Sequence, residues 1–278
     1  MNSDLRLLYR HASASADFTF HTRKFYRSRN LFVGAGGAGE VWPEDDSPSL
    51  GTQLAAGLRR GLQASNDAKW PGLVVVCIIA LVVASYYAVP ATGAVFDRIM
   101  AWKAAYGAGF SFFSMGIAGG ILPVLLGLCT GLYRWGPKVL QHAAYGLLVF
   151  GILGVLSDGL YVFQTHLFGE GAGAGTVLSK IAFDQFVWTV LFANPYQLIV
   201  LLFRDSGFRW QRMSRSLNDP LDYYLSTGVP ALFNNWCFWI PLTGLIYALP
   251  SALQIPVASL AVAFWVLLLT LTMKQGES

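Results

Sequence analysis

Residues 177–203 (VLSKIAFDQFVWTVLFANPYQLIVLLF) set Lys180, Asp184, Gln185 and Asn194 into an otherwise apolar run. A helix rises ~1.5 Å per residue, so about 20 such residues cross the hydrocarbon core of a bilayer. Asp184 then lies well inside the lipid boundary, where a lone carboxylate is costly, and it must face other helices or water. Two roles are open to it. It can tie helices together near the membrane surface, with Lys180 one turn earlier as partner, or it can line a polar path that favours cations.

A second acid shares this depth. The apolar run 140–163 carries Gly151, Gly154, Ser157 and Asp158. Asp158 follows the glycines by four and seven residues, so it shares their face and belongs at a helix contact. Asp158 and Asp184 each lie about six residues from the same end of antiparallel neighbours, with Ser111 and Ser114 in the same layer. Asn194, Gln197, Asn234 and Asn235 form a second polar layer toward the opposite side. Each amide can equally serve as a plain inter-helix tie of about 0.6–2 kcal/mol. An aspartyl pair would require carboxylates about 3 Å apart, which spacing alone does not establish.

Other catalytic constellations are missing from the sequence. It has no H-E-x-x-H and no G-x-S-x-G, and His142 and His166 stand apart. Cys77, Cys129 and Cys237 fall inside apolar segments without metal spacing, and read as small core residues. No enzyme activity, catalytic residue, metal or cofactor is therefore expected.

The elements that must hold these groups follow from composition. The 278 residues are 55% hydrophobic and 12% charged, with a mean hydropathy of +0.50, the profile of a polytopic membrane protein. The expected fold is an all-α transmembrane bundle of about six spans: 73–90, 108–132, 140–163, 177–203, 229–249 and 255–273. The last two are joined by a turn over 250–254, or are one broken helix. Gly116, Gly120, Gly127 and Gly131 form two G-x-x-x-G pairs, and with Gly151 and Gly154 they are the expected sites of close helix packing. Arg59, Arg60, Lys69, Arg134, Lys138, Arg204, Arg209, Arg212, Arg215 and Lys274 occupy alternate connections. The positive-inside rule then puts both termini on the cytoplasmic or equivalent side. The net charge of +4 sits on the tail and loops and argues for membrane topology, not nucleic acid.

Residues 1–70 read as a basic, mostly disordered tail that touches anionic lipid, with no apolar stretch of a cleavable signal. Gly34–Gly39 matches G-x-G-x-x-G, but Val41-Trp42-Pro43 and Glu44-Asp45-Asp46 follow where a βαβ unit would need a helix, so the run reads as a linker. Leu50, Leu54, Leu58 and Leu62 recur every four residues, which predicts an amphipathic helix on the membrane before the 71–273 helical domain.

Several motifs recur in a familiar order. Leu178-Ser179-Lys180-Ile181-Ala182-Phe183 precede Asp184-Gln185. Asn235-Trp236-Cys237-Phe238-Trp239-Ile240-Pro241, then Tyr247-Ala248-Leu249-Pro250 and Phe264-Trp265 follow. This resembles the 22-kDa peroxisomal membrane protein, or Mpv-seventeen, family over roughly residues 110–273, in a divergent form closer to its bacterial or plastid branch. The family's first core helix usually carries a glycine–aspartate, where this chain has Ser114-Met115-Gly116 and no acid. Where the family's next helix has a tryptophan–tyrosine pair, this chain has Ser157-Asp158-Gly159. The resemblance implies an integral protein of a bacterial inner membrane or a mitochondrial, plastid or peroxisomal membrane, acting as a conduit for small solutes. It carries over to Asp184, Gln185, Asn235, Trp236, Trp239 and Pro241, with Trp265 as a structural tryptophan.

The functional expectation is a channel-like conduit for ions or small metabolites, with Asp158, Asp184, Gln185, Asn194, Asn234 and Asn235 turned to a polar interior. The alternative is a structural or assembly protein without transport. The expected partners are the bilayer and an unidentified small solute or ion, and self-association into a homo-oligomer stays open.

Overall fold

Inside lipid no water is at hand for backbone amides, so an apolar run satisfies them within its own helix. The computed structural model describes residues 50–67 and 69–275. The basic stretch, the 34–39 glycine run and the acidic patch lie outside the described residues. Among the described residues all regular structure is helical. The main helices are α1 (Leu50–Asp67), α2 (Lys69–Ala88), α3 (Gly93–Tyr106), α4 (Ala108–Cys129), α5 (Pro137–Phe168), α6 (Ala174–Asp205), α7 (Trp210–Ser216), α8 (Val229–Tyr247) and α9 (Ser251–Gln275).

Among the described residues four helices, α2, α4, α5 and α6, are long and apolar enough to cross a membrane, and they mark an integral membrane protein. About six were expected. Asn234, Asn235, Pro230 and Pro241 dilute the apolar character of α8, and α9 is apolar over Ser251–Leu267, as far as its side chains are described. No more than 33% of any of the four spans is buried within the bundle. Phe113, Leu125, Ile152, Leu156, Phe186 and Leu191 point outward instead, a surface suited to lipid and not to water. The three cysteines share that outward face, correcting the expectation of core positions.

Cross-helix contacts set the directions. Gly120 lies against the Gly146 backbone and Gly154 against the Ser111 carbonyl, so α4 and α5 are antiparallel. Tyr145 donates to the Val200 carbonyl at 2.9 Å and Tyr196 to the Val149 carbonyl at 2.8 Å, which makes α5 and α6 antiparallel too. Asn194 on α6 reaches the Gly228 carbonyl, whereas Asp184 meets Tyr247, so α8 runs against α6. Phe238 stacks on Trp265 with ring centroids 4.1 Å apart. Their separation of 27 positions (265 minus 238) would place them about 40 Å apart in one straight helix. The last two helices are therefore a hairpin turning at Ala248-Leu249-Pro250, not one broken helix.

Small residues let these helices approach. A Cβ on Gly116 would lie 2.7 Å from the Leu147 carbonyl oxygen, and one on Gly151 would lie 2.6 Å from the Phe112 ring. The second glycine pair does something else. Gly127 is covered by the Tyr133 ring of its own loop, and Gly131 sits beyond the helix end at φ +81 with open space around it, so neither packs helix on helix as expected. Ala258 and Ala261 let α9 run through the centre, where Ile79 of α2, Leu242 and Ile246 of α8 and Leu253 of α9 are fully buried.

Three π-helical stretches interrupt the α-helical ladders: Ile117–Ile121, Asp184–Ala193 and Tyr224–Gly228. Each ends within two residues of a proline, Pro123, Pro195 or Pro230. Proline lacks the N–H that would bond the carbonyl four residues back, and a widened turn is one way the backbone absorbs that loss. Pro241 and Pro256 sit inside α8 and α9 without such a widening.

The leucine-rich helix α1 has two working faces. Gly57 and Gly61 are buried against Val229, Pro230 and Phe233 at the start of α8. Leu54, Leu58 and Leu62 remain exposed on the other side, the arrangement of a helix packed on the bundle and dipped into the interface.

Candidate functional site

The π-helical stretch of α6 begins at Asp184, so the Asp184-Gln185 pair stands where the helix widens. Such bulges recur at functional positions because they re-aim side chains. Asp184 is 6% exposed and accepts a hydrogen bond from the Tyr247 hydroxyl of α8 at 2.7 Å. The side chains of Gln185 and Thr189 also hydrogen-bond it. Tyr247 is held in turn by Tyr161 of α5, edge to face at 5.4 Å between centroids, and its hydroxyl interacts with the Gln164 amide. Gln164 donates to the Lys180 carbonyl at 3.1 Å, linking α5 to α6.

Lys180 does not pair with Asp184. Its ammonium donates to Thr165 at 3.2 Å and lies within electrostatic reach of Glu170, toward the loop end of the helix. The site around Asp184 therefore has a surplus of acceptors. The Gln164 and Gln185 Oε1 atoms are buried and meet no donor among the described residues, beside a carboxylate with no cation partner there. Buried amide oxygens almost always find a donor. A proton, a water, an ammonium group or a small cation would satisfy this cluster.

Asp158 is different. It pairs with Lys103 of α3 at 2.5 Å and accepts from Ser111 of α4 at 2.9 Å, so its charge is balanced. The polar seam continues, with Ser114 bonded to the Ser111 carbonyl and Ser259 of α9 to Ser114. The expected layer of Asp158, Ser111 and Ser114 is thus in contact. Among the described residues no hydrogen bond joins Asp158 to Asp184. Tyr161 is within electrostatic reach of both.

The expected second layer is not one group. Asn194 is buried and ties α6 to the Gly228 carbonyl, whereas Asn234 accepts from Ser65 of α1 at 3.1 Å, and Asn235 is half-buried. Trp236 donates its indole N–H to the Gln185 carbonyl at 2.9 Å and packs between Phe186 and Phe233. Trp239 packs on the central core, and Trp265 covers Phe238. Sequence reasoning passed over Gln164, Tyr161 and Lys103, and took Tyr247 only as part of a motif. A glutamine in the middle of a 32-residue apolar helix was the available signal for Gln164.

Two cavities lie apart from the acids. A crevice of about 50 Å³ between α4, α5 and α6 is lined by Gly120, Gly146, Tyr145, His142 and Arg204. A larger groove lies between α1, α2, α8 and α9. Neither is lined by Asp158 or Asp184. The class defined by this fold is an integral membrane helical bundle with a buried polar cluster. Comparison with protein-family profiles, curated proteins and solved structures finds no match for the chain.

Proposed function

We propose that the protein is a conduit for protons, small cations or polar solutes that donate hydrogen bonds, with Asp184 as the central group of its path. The observation that carries this reading is the acceptor surplus: Asp184 accepts from Tyr247, whose hydroxyl also meets the Gln164 amide, and the buried Oε1 atoms of Gln164 and Gln185 meet no donor among the described residues. A plain helix tie would leave no buried acceptor unmatched, whereas two amide oxygens here have no donor among the described residues. Ionisable groups inside a membrane mark ion and proton pathways.

The likeness to the Mpv-seventeen family belongs to the same proposal. In its support, motif residues far apart in sequence meet, since Trp236 bonds the Gln185 carbonyl beside Asp184. A second reading, a structural or assembly protein, draws on Asp158, whose charge Lys103 already balances as a tie would require.

Flux of protons and monovalent cations into liposomes holding purified protein separates the two. Asp184→Asn lowers flux about ten-fold or more, equivalent to ~1.4 kcal/mol or more at the barrier, while Asp158→Asn lowers thermal stability and leaves flux per folded molecule unchanged. Absence of flux from the wild-type protein, or equal flux from Asp184→Asn, overturns the conduit and leaves the structural reading.

A further inference from the structure

The groove between α1, α2, α8 and α9 has a volume of about 400 Å³ and takes no part in the conduit. Its two ends differ in chemistry. At one end stand Ser65, Asn66 and Lys69, with Lys69 Nζ bonded to the Asn66 side chain at 3.1 Å and Ser65 to Asn234 at 3.1 Å. Farther in, the walls are Leu73, Val76, Phe238 and Trp265. Gly72 contacts Phe238 on α8, and Tyr87 reaches the Ala248 carbonyl beyond it, so α2 and α8 run in parallel. From Lys69 to Val76 the groove descends about 10 Å along α2.

The floor is built. Trp265 lies against Phe238 and closes it, and a Cβ on Gly72 would meet both rings in ordinary contact at 3.6 and 3.7 Å, so a larger side chain there would enter the groove. Trp70 and Leu73 are exposed beside the groove, which therefore opens sideways to lipid. Lys69 meets no carboxylate among the described residues. The antiparallel pairing brings the starts of α2 and α5 and the end of α6 to one end of the bundle, so Lys138 and Arg204 share the end where Lys69 stands.

We propose that this groove holds one anionic phospholipid from the surrounding leaflet. Its phosphate sits at Lys69 and the Asn66 amide, and the first part of one acyl chain lies along Leu73, Val76 and Trp265. Charge complementarity selects an anionic head, because a zwitterionic lipid brings its own cation to a site that already has one. The sideways opening leaves the second chain in the bilayer, an arrangement a single-chain fatty acid does not need. Attraction to basic groups at a membrane surface is the general ground for such recognition.

Native mass spectrometry tests it on full-length protein taken from liposomes of equal phosphatidylglycerol and phosphatidylcholine with added oleic acid. Phosphatidylglycerol is the retained adduct. Lys69→Gln lowers its retention about five-fold, Gly72→Leu fills the groove and abolishes it, and Arg98→Gln at the opposite end leaves it unchanged. Equal retention of phosphatidylcholine, a dominant oleate adduct, or unchanged retention in Lys69→Gln each overturns the proposal. If Gly72→Leu fails to fold, the exposed Lys69→Gln substitution decides alone.

Discussion

At the residue scale, two acids that look alike in sequence have opposite surroundings. Asp158 and Asp184 both stand in apolar helices, yet Lys103 and Ser111 balance the first while Tyr247 alone donates to the second from another helix. Tyr247→Phe removes that donor and should cost about 1–3 kcal/mol, the penalty of a buried group left without its bond; thermal unfolding in detergent measures it. The Asp158 pair gives a different pattern. Lys103→Met strands a largely buried carboxylate, so it should lower the melting temperature more than the double replacement Lys103→Met/Asp158→Leu does. An equal or smaller effect of the single change would show that the pair contributes little. Gln164 escaped notice in the sequence because an uncharged amide weakly perturbs hydropathy, and its importance comes from the neighbours that leave its oxygen without a donor.

At the element scale, the long apolar helices were legible, α3 between the first two expected spans was not, and helix faces were partly so. The glycines of α4 and α5 were expected at a contact, and Gly116, Gly120, Gly151 and Gly154 are there. Gly127 and Gly131 carry the same spacing but fall at the helix end, because α4 stops at Cys129. Spacing cannot tell a packed glycine from a turn glycine; the point where the helix stops does. Gly120→Ala would press a methyl group into the Gly146 backbone and should destabilise by about 1–3 kcal/mol. Gly93→Ala, with nothing within 4 Å and a right-handed helical backbone, should be neutral or stabilising by about 0.4–1 kcal/mol. Chemical denaturation of the two variants side by side reads both signs. Proline alone does not mark the π-helical stretches, since Pro123, Pro195 and Pro230 follow one while Pro241 and Pro256 do not.

At the scale of the whole molecule, the exposed apolar surface requires a lipid solvent. Alkaline carbonate washing should therefore leave the protein in the membrane pellet. Cys77 and Cys129 should react with an apolar maleimide that partitions into the bilayer far faster than with a charged, membrane-impermeant one. Equal rates with the two reagents would mean that these faces meet water. The tyrosine bonds from Tyr145, Tyr196 and Tyr224 to carbonyls of neighbouring helices act at this scale, since each crosses between helices at a part-buried position.

The sequence by itself determined that the chain is helical and membrane-bound, because hydropathy and helix length are local properties that every residue reports independently. It also located two costly acids, since a charge in an apolar run stands out wherever the run folds. Only the tertiary structure decided which acid is balanced, which helix pairs form the glycine seam and that α8 and α9 turn back on each other. Those outcomes depend on donors and surfaces brought together from distant parts of the chain. Partner choice across helices leaves no periodic mark in the sequence.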